Sequence, residues 1–403
     1  MKALPCGHLA PAAGARVCAH LTTDNGPDCF RVLTGVATRY DLLCKSCADA
    51  DAPELLDACA GCFQRAEGGA DLGWRGSPEI LRRDRDLGGA WTTTACPVTP
   101  LNDRCLAALP AGWLAWTADG LVALDPEPRH ISVVDLPPES PPTGPGEAPE
   151  PALHTAADGR FAAAVTDYGR HGVVVDLASG AAPLALDRQG YHPQTVRFPV
   201  AFLGSVVVAA TDWNRLDAFE AATGRLLTER VTSREENREH YLDYFFGALL
   251  PSPSGRFLLA DGWVWQPEGI PLVLDCATWL AGDRHAPEHG QALAFRDSWD
   301  VPMAWVDDET VALQQIGDDL PIDGIQLHDA RTGRRTGMFA GPAGRMWGHG
   351  GLLYVAAETG LEVWDPADGA RVGLLEGFTP IAHRDGTFAE LRDDQLRTWT
   401  PAA

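Results

Sequence analysis

VWDPADG, residues 363–369, is a short apolar run that ends on an acidic residue and is followed by a turn closing on glycine. The same unit recurs along most of the chain. It appears as VVD at 133–135, VVDLASG at 174–180, AFEAATG at 218–224, VLDCATWLAG at 273–282 and LHDARTG at 327–333. RTWTPAA at 397–403 is a degenerate last copy. Aligned on residues 135, 176, 220, 275, 329, 365 and 400, the copies lie 41, 44, 55, 54, 36 and 35 residues apart, a mean period near 44. A second marker interleaves with the first, a tight turn feeding an apolar strand: ADGLVAL (118–124), ADGRFAAAV (157–165), PSGRFLLA (253–260), GHGGLLYVAA (348–357) and RDGTFAEL (384–391). Asp-Gly and Ser-Gly supply the backbone conformations that hairpin turns demand.

Many short strands with regular turn signals mean a sandwich, a barrel or a propeller, and a period of 40–45 residues is that of a propeller blade. Residues 91–403 therefore read as an all-β, seven-bladed β-propeller. Through Trp364–Asp365 and Gly348–His349 this part resembles the WD-repeat propellers, and more broadly the quinoprotein type. That resemblance implies the fold; function has to come from sites. The wide spacings predict insertions in blades four and five, with 229–247 a partly helical excursion. The chain reaches its last copy with only three strands of a blade in hand. An open edge invites aggregation, so WTTTACPV, 91–98, is expected to pair beside 393–400. LPPESPPTGPGEAPEP, 136–151, holds seven prolines and reads as an extended, exposed loop between blades one and two.

The front of the chain is different. Seven of its ten cysteines precede residue 63. Cys6-x-His8 and Cys18-x-His20 are followed by two Cys-x-x-Cys pairs, Cys44/Cys47 and Cys59/Cys62. Four soft ligands in a tetrahedron make a closed structural zinc site, so eight ligands suffice for two zinc ions. A unit of this size buries little core and would draw much of its folding energy from metal. The spacing leaves the grouping open. A cross-brace would join Cys6 and His8 to Cys44 and Cys47, and Cys18 and His20 to Cys59 and Cys62. A sequential arrangement would put the four early ligands on one ion and the four late ones on the other. Cys29 is an alternative ligand. The pattern resembles the RING and ubiquitin-protease-type zinc fingers over residues 4–63, which would imply a ligase-like role in a protein-modifier pathway. Between this zinc-binding module, 1–63, and the propeller lies a connector, 64–90. There Ser77–Pro78 and EILRRDRDL predict a short helix stopped by Gly88–Gly89, with Arg82, Arg83 and Arg85 as a basic cluster.

The net charge of the 403 residues is −23, which repels phosphate backbones and argues against nucleic acid as partner. No apolar run is long enough to span a membrane. The N-terminus carries no secretion signal, so the reading is a cytoplasmic monomer with reduced thiols. Candidate polar groups His154, His192, His240, His349 and His383 show no common face. His285 and His289 are spaced to chelate a metal on a helix, but Pro287 between them argues for a loop. Cys276 reads as core, and Cys96 and Cys105 as unpaired. Trp213, Trp263, Trp265 and Trp347 are candidates for a binding mouth. The sequence offers no nucleophile elbow, H-E-x-x-H or P-loop. The expectation is a non-enzymatic scaffold that binds another protein; the alternatives are a hydrolase or lyase at the propeller mouth and the ligase-like module.

Overall fold

The computed structural model describes residues 2–3, 9–10, 15–22, 27–33, 40–50, 52–68, 72–76, 80–124, 127–141, 144–231, 235, 238–316 and 322–402. Seven antiparallel sheets, each built on four strands, follow one another around a ring. Blade two shows the pattern: Glu150–Thr155, Phe161–Asp167, His171–Asp176 and Leu184–Asp187, from the channel outward. The innermost strands of the seven are Leu106–Ala108, Glu150–Thr155, Val200–Leu203, Phe245–Pro251, Met303–Trp305, Arg345–His349 and Ala382–Arg384. The last of these packs beside the first, which closes the ring around a channel. Gly348 shows how tightly the inner strands meet. A Cβ there would sit 1.9 Å from the Trp305 carbonyl oxygen, so only glycine fits.

The recurring acidic residues end third strands: Asp176, Glu220, Asp275, Asp329 and Asp365. The repeat has a local cause. The Asp176 carboxylate accepts from the Ala178 and Ser179 amides, and its carbonyl accepts from Gly180 at 2.8 Å. Gly180, at φ +72°, makes the left-handed step that starts the outer strand. Asp365 and Gly369 repeat the turn. Blade one departs from the expected register. Its third strand is Gly120–Leu124, and Val133–Asp135 lies past the outer strand Pro128–Ser132. Ala118–Gly120 is thus the second hairpin of that blade. Its first is the turn at 109–112, where Leu109 donates to Gly112, a signal that PAG carries less plainly than DG. The predicted insertion in blade four is present as the helix Cys276–Leu280 and the 3-10 turn Ala286–His289.

Ring closure follows the expectation. Ala90–Ala95 pairs antiparallel with Gln395–Thr400, with Trp91 opposite Trp399 and Ala95 opposite Gln395. The strand stops at 95 instead of 98, and the Cys96 amide donates to Asp394. The connector helix is not formed. Ser77–Pro78 falls outside the described residues, and 81–85 runs extended beside the outer strand of blade six, Ala370–Glu376. Arg371 donates its amide to Leu81 and its carbonyl accepts from Arg83, while Asp84 ion-pairs with the Arg371 guanidinium at 2.7 Å. An isolated helix of nine residues is marginal in water, whereas the open edge of a blade offers unpaired backbone groups. Of the arginine cluster, Arg83 spends its guanidinium on this seam by pairing with Asp368, while Arg82 and Arg85 join it through their backbone.

The proline-rich loop is docked rather than free. The Glu139 carboxylate accepts from the Arg170 and His171 amides, and the Glu147 amide donates to Gln194.

The N-terminal unit is a mixed five-stranded sheet in the order Leu55–Ala58, Ala15–Cys18, Tyr40–Cys44, Cys29–Leu33, Trp74–Arg75. Its last helix, Ala60–Glu67, and the strand at Trp74 carry it past the boundary at 63 drawn from sequence. It docks on blade five, where Leu33 and Trp74 share a core with Ile316, Met338 and Ala340, and the Arg335 guanidinium lies over the Tyr40 and Trp74 rings.

Candidate metal centre

Strands Ala15–Cys18 and Tyr40–Cys44 are neighbours and run parallel, with Val17 beside Leu42. Parallel strands end at the same edge of a sheet, so Cys18 and Cys44 emerge together. After each strand the chain turns over the edge: the 3-10 turn Ala19–Thr22 brings His20, and the helix Lys45–Ala48 brings Cys47. The ligand atoms of Cys18, His20, Cys44 and Cys47 lie within 4.8 Å of one another. His20 Nδ1 is 3.3 Å from Cys47 Sγ and 3.6 Å from Cys44 Sγ. The Cys44 amide donates to Cys18 Sγ at 3.4 Å. Cys18 and Cys44 are buried, Cys47 is half-buried and His20 is exposed.

Three thiols and one imidazole are a soft tetrahedral donor set. Ions bound at about 2.0–2.3 Å hold their ligand atoms about 3.3–3.8 Å apart, and the two separations from His20 to Cys47 and Cys44 fall in that range. These four residues can hold a metal ion. The electrostatics suit it: burial opposes ionisation of Cys44, yet hydrogen bonds from Ser46 and from Cys47 outweigh it and draw the thiol down to about 7. Cys47 is pushed up to about 12 by burial and by its contact with Cys44. One sulfur ionises readily, and a cation has to assist the next.

The set belongs to neither grouping expected from spacing. Cys18 and His20 side with Cys44 and Cys47, because the parallel strand pair decides the partnership. Cys59 caps the helix Ala60–Glu67 and, with Cys62, lies outside the cluster. Cys29 sits opposite Cys44 in the sheet, but its thiol donates to the Ala66 carbonyl. Cys6 and His8 lie outside the described residues. Nothing in the spacing signalled the pairing; it depends on a strand order that only folding sets.

Elsewhere the structure sorts the other candidates. His154 and His383 stand on inner strands of blades two and seven and line one channel cavity of about 640 Å³, so they do share a face. His349 adjoins His383 at a ring separation of 5.9 Å. Burial pushes both His154 and His383 down to about 4. A histidine kept neutral when folded but free to protonate when unfolded makes stability rise with pH between about 4 and 6.5 and hold above that range. Acidification from pH 7 to 4.5 is therefore expected to lower stability, with His154 contributing about 1–3 kcal/mol. His154→Gln should flatten that slope in urea midpoints measured across the range; an unchanged slope refutes the assignment. Cys276 is core, and Cys96 and Cys105 donate to the Val98 and Pro151 carbonyls.

Trp213, Trp263 and Trp265 converge, whereas Trp347 packs against Phe388 in blade seven. Phe245 stacks on Trp263 at 4.3 Å, and Trp263 on Trp299 at 4.9 Å. Tyr191 extends the stack at 5.9 Å, with Trp213 and Trp265 set against its flank. Thr195 anchors the stack from behind, its hydroxyl accepting from Trp263 and its carbonyl from Trp299. Tyr191 and Trp265 remain 48% and 47% exposed.

Fold and site together define a seven-bladed β-propeller carrying a small mixed-sheet unit with a cysteine–histidine cluster. No protein-family model matches the sequence, and no curated protein matches it. A solved structure does share the fold. A chain of a mitotic checkpoint complex superposes with a TM-score of 0.51 at 10% identity, covering 81% of this chain and 94% of that one. The Cps50 (Swd1) β-propeller domain of Myceliophteria thermophila gives 0.44 at 12% identity, covering 77% and 98%. The computationally designed Ika8 protein gives 0.40 at 14%, covering 76% and 100%. No helix among the described residues is long and apolar enough to cross a membrane.

Proposed function

We propose that this chain is a non-enzymatic interaction scaffold whose propeller binds a basic segment of a partner protein. The observation that carries the reading is the aromatic stack that leaves Tyr191, in the connection after Leu184–Asp187, and Trp265, in the turn after Phe257–Val264, half exposed. Rigid aromatics of this kind are the usual anchors of protein interfaces, and their ring faces attract guanidinium and ammonium groups. Asp212 precedes Trp213, Asp243 lies two residues before Phe245, and Glu268 pairs across from Val264, the residue before Trp265, so acidic residues stand close to the ring-bearing positions along the chain. The charge of −23 adds long-range attraction for a cation. A structural neighbour that is a chain of a checkpoint complex is in keeping with this reading.

The test uses arginine-rich and glutamate-rich peptides of equal length. The arginine-rich peptide is expected to bind, to weaken with salt, and to weaken at least about tenfold, or about 1.4 kcal/mol, in Tyr191→Ala/Trp265→Ala. Equal binding of both peptides, or of one peptide by both proteins, overturns the proposal.

Within the same reading the bound ion is zinc and its role structural. Cys18, His20, Cys44 and Cys47 hold one ion. Cys6 and His8 with Cys59 and Cys62 are the grouping that remains for a second. The protein is a monomer of the cytoplasm, where thiols stay reduced.

A further inference from the structure

Three arginines stand at one end of the channel. Arg104 lies two residues before the inner strand Leu106–Ala108, Arg197 three before Val200–Leu203, and Arg345 opens Arg345–His349. Inner strands of successive blades run the same way, so their first residues share one mouth. The cavity that His154 and His383 line extends the other way, to Pro110, Gly204 and Asp385 past the strand ends.

The side chains meet across the ring. Arg197 Nε lies 3.7 Å from Asp300 Oδ1, which joins blade three to blade five over the end of blade four. Burial lowers the Arg345 guanidinium below its usual range, and Arg104 and Arg197 lower it further, so both lie near it. Blade six packs on blade five, and it approaches blade three only across the channel. The segment that carries Arg197 is held in place. Arg188 is buried behind it and donates to the Pro193, Val196 and Arg197 carbonyls. Tyr168 and Asp300 contact Arg197, and both adopt left-handed backbone, at φ +56° and +59°. Strain of this kind persists where the surroundings over-determine it, and it gathers at binding sites.

Charges and hydrogen bonds do not balance here. Arg104 Nε is 2.7 Å from Asp167 Oδ2, yet the two are not aligned for a hydrogen bond. Among the described residues Arg345 has one hydrogen-bond partner, the Ile381 carbonyl at 2.7 Å, and no paired carboxylate. Arg197 adds a single long bond to Tyr168 Oη at 3.4 Å. Each fork offers several N–H donors, and most of them have no protein acceptor. All three arginines are half-buried, so the forks are within reach of solvent. A half-buried cation without a carboxylate is costly unless something else supplies the negative charge. Phosphate and carboxylate oxygens match the guanidinium fork. The overall charge of −23 repels a long polyanion, but a small one that reaches the mouth meets the local positive charge at short range.

We propose that this mouth of the channel binds a small oxyanion, a molecule carrying phosphate or carboxylate groups, through Arg104, Arg197 and Arg345. Tyr191 and Trp265 take no part in it, so it is separate from the peptide site.

The test titrates the full-length protein with inorganic phosphate and with succinate by calorimetry, at constant ionic strength in chloride. Wild type is expected to bind one equivalent of at least one of them. Phosphate alone assigns a phosphoryl ligand, succinate alone a carboxylate, and both an oxyanion read by charge. Arg345→Met is expected to bind at least about tenfold more weakly, and without anion to melt no lower than wild type, because it removes a cation that lacks a carboxylate. Arg345→Lys keeps the charge without the fork and should fall between the two. Neither anion bound by wild type, or equal affinity in wild type and Arg345→Met, overturns the site. A lower melting temperature of Arg345→Met without anion makes Arg345 a structural donor and counts against it. Hydrogen exchange on wild type alone gives an independent readout. The bound anion is expected to slow exchange across 195–201 and 344–348, and unchanged exchange there overturns the proposal whatever the variants do.

Discussion

Replacing Cys44 with serine is expected to remove one metal equivalent per chain and to unfold the N-terminal sheet while the ring stays intact. The sheet buries a small core, with Val17, Leu42, Leu43 and Ala58 at its centre. Units of that size rarely stand without a staple, and a structural ion of this type contributes about 10–16 kcal/mol in small peptides. Cys44 is the most sensitive place to cut. It is a strand end, a helix N-cap, the amide donor to Cys18 and the thiol drawn lowest. Serine keeps the size but supplies no thiolate. The propeller has its own closing strand and its own cores, so its melting should move little. Metal content by mass spectrometry together with limited proteolysis reads both halves. Full metal content, or unchanged protection across 15–76, would show that the cluster is four thiols and imidazoles by coincidence.

The second large effect is at the closure. Trp399 is fully buried, faces Trp91 across the last strand pair, donates its indole N–H to the Gly88 carbonyl at 3.0 Å and packs on Phe388 and Tyr354. Trp399→Ala leaves a cavity and an unpaired carbonyl, and is expected to cost about 3–5 kcal/mol. The loss should be local first: hydrogen exchange across 90–95 and 395–400 should rise well before the other blades open. Trp91 is 46% exposed, so Trp91→Ala should cost clearly less. Equal losses for the two would mean that the seam does not hold the ring.

Much of the ring was legible because blade turns are local. An acidic residue followed four positions later by glycine specifies its own hydrogen bonds, and that made the period visible. Blade one was misread because its first hairpin turns on Pro110-Ala111-Gly112, a weaker signal than Asp-Gly. The connector was misread because capping and propensity describe a segment alone, and the edge strand of blade six competes for it. His285 and His289 stood out by spacing, but Ala286–His289 is a short 3-10 turn, and the ring that packs on both, His240, lies 45 residues before His285 in the chain.

By itself, then, the sequence determined the number of blades, the need for a closing strand from residues near 91, and the soft ligand types gathered at the front. Each rests on short-range chemistry or on the strand count of the repeat. Tertiary structure decided which ligands meet and which aromatics stay exposed. A parallel pairing of two strands sends Cys18 and Cys44 over one edge, and no spacing between residues 18 and 44 encodes that neighbour relation. Burial decided the rest: the same tryptophan is core at 399 and surface at 265, because one faces a neighbouring blade and the other faces water.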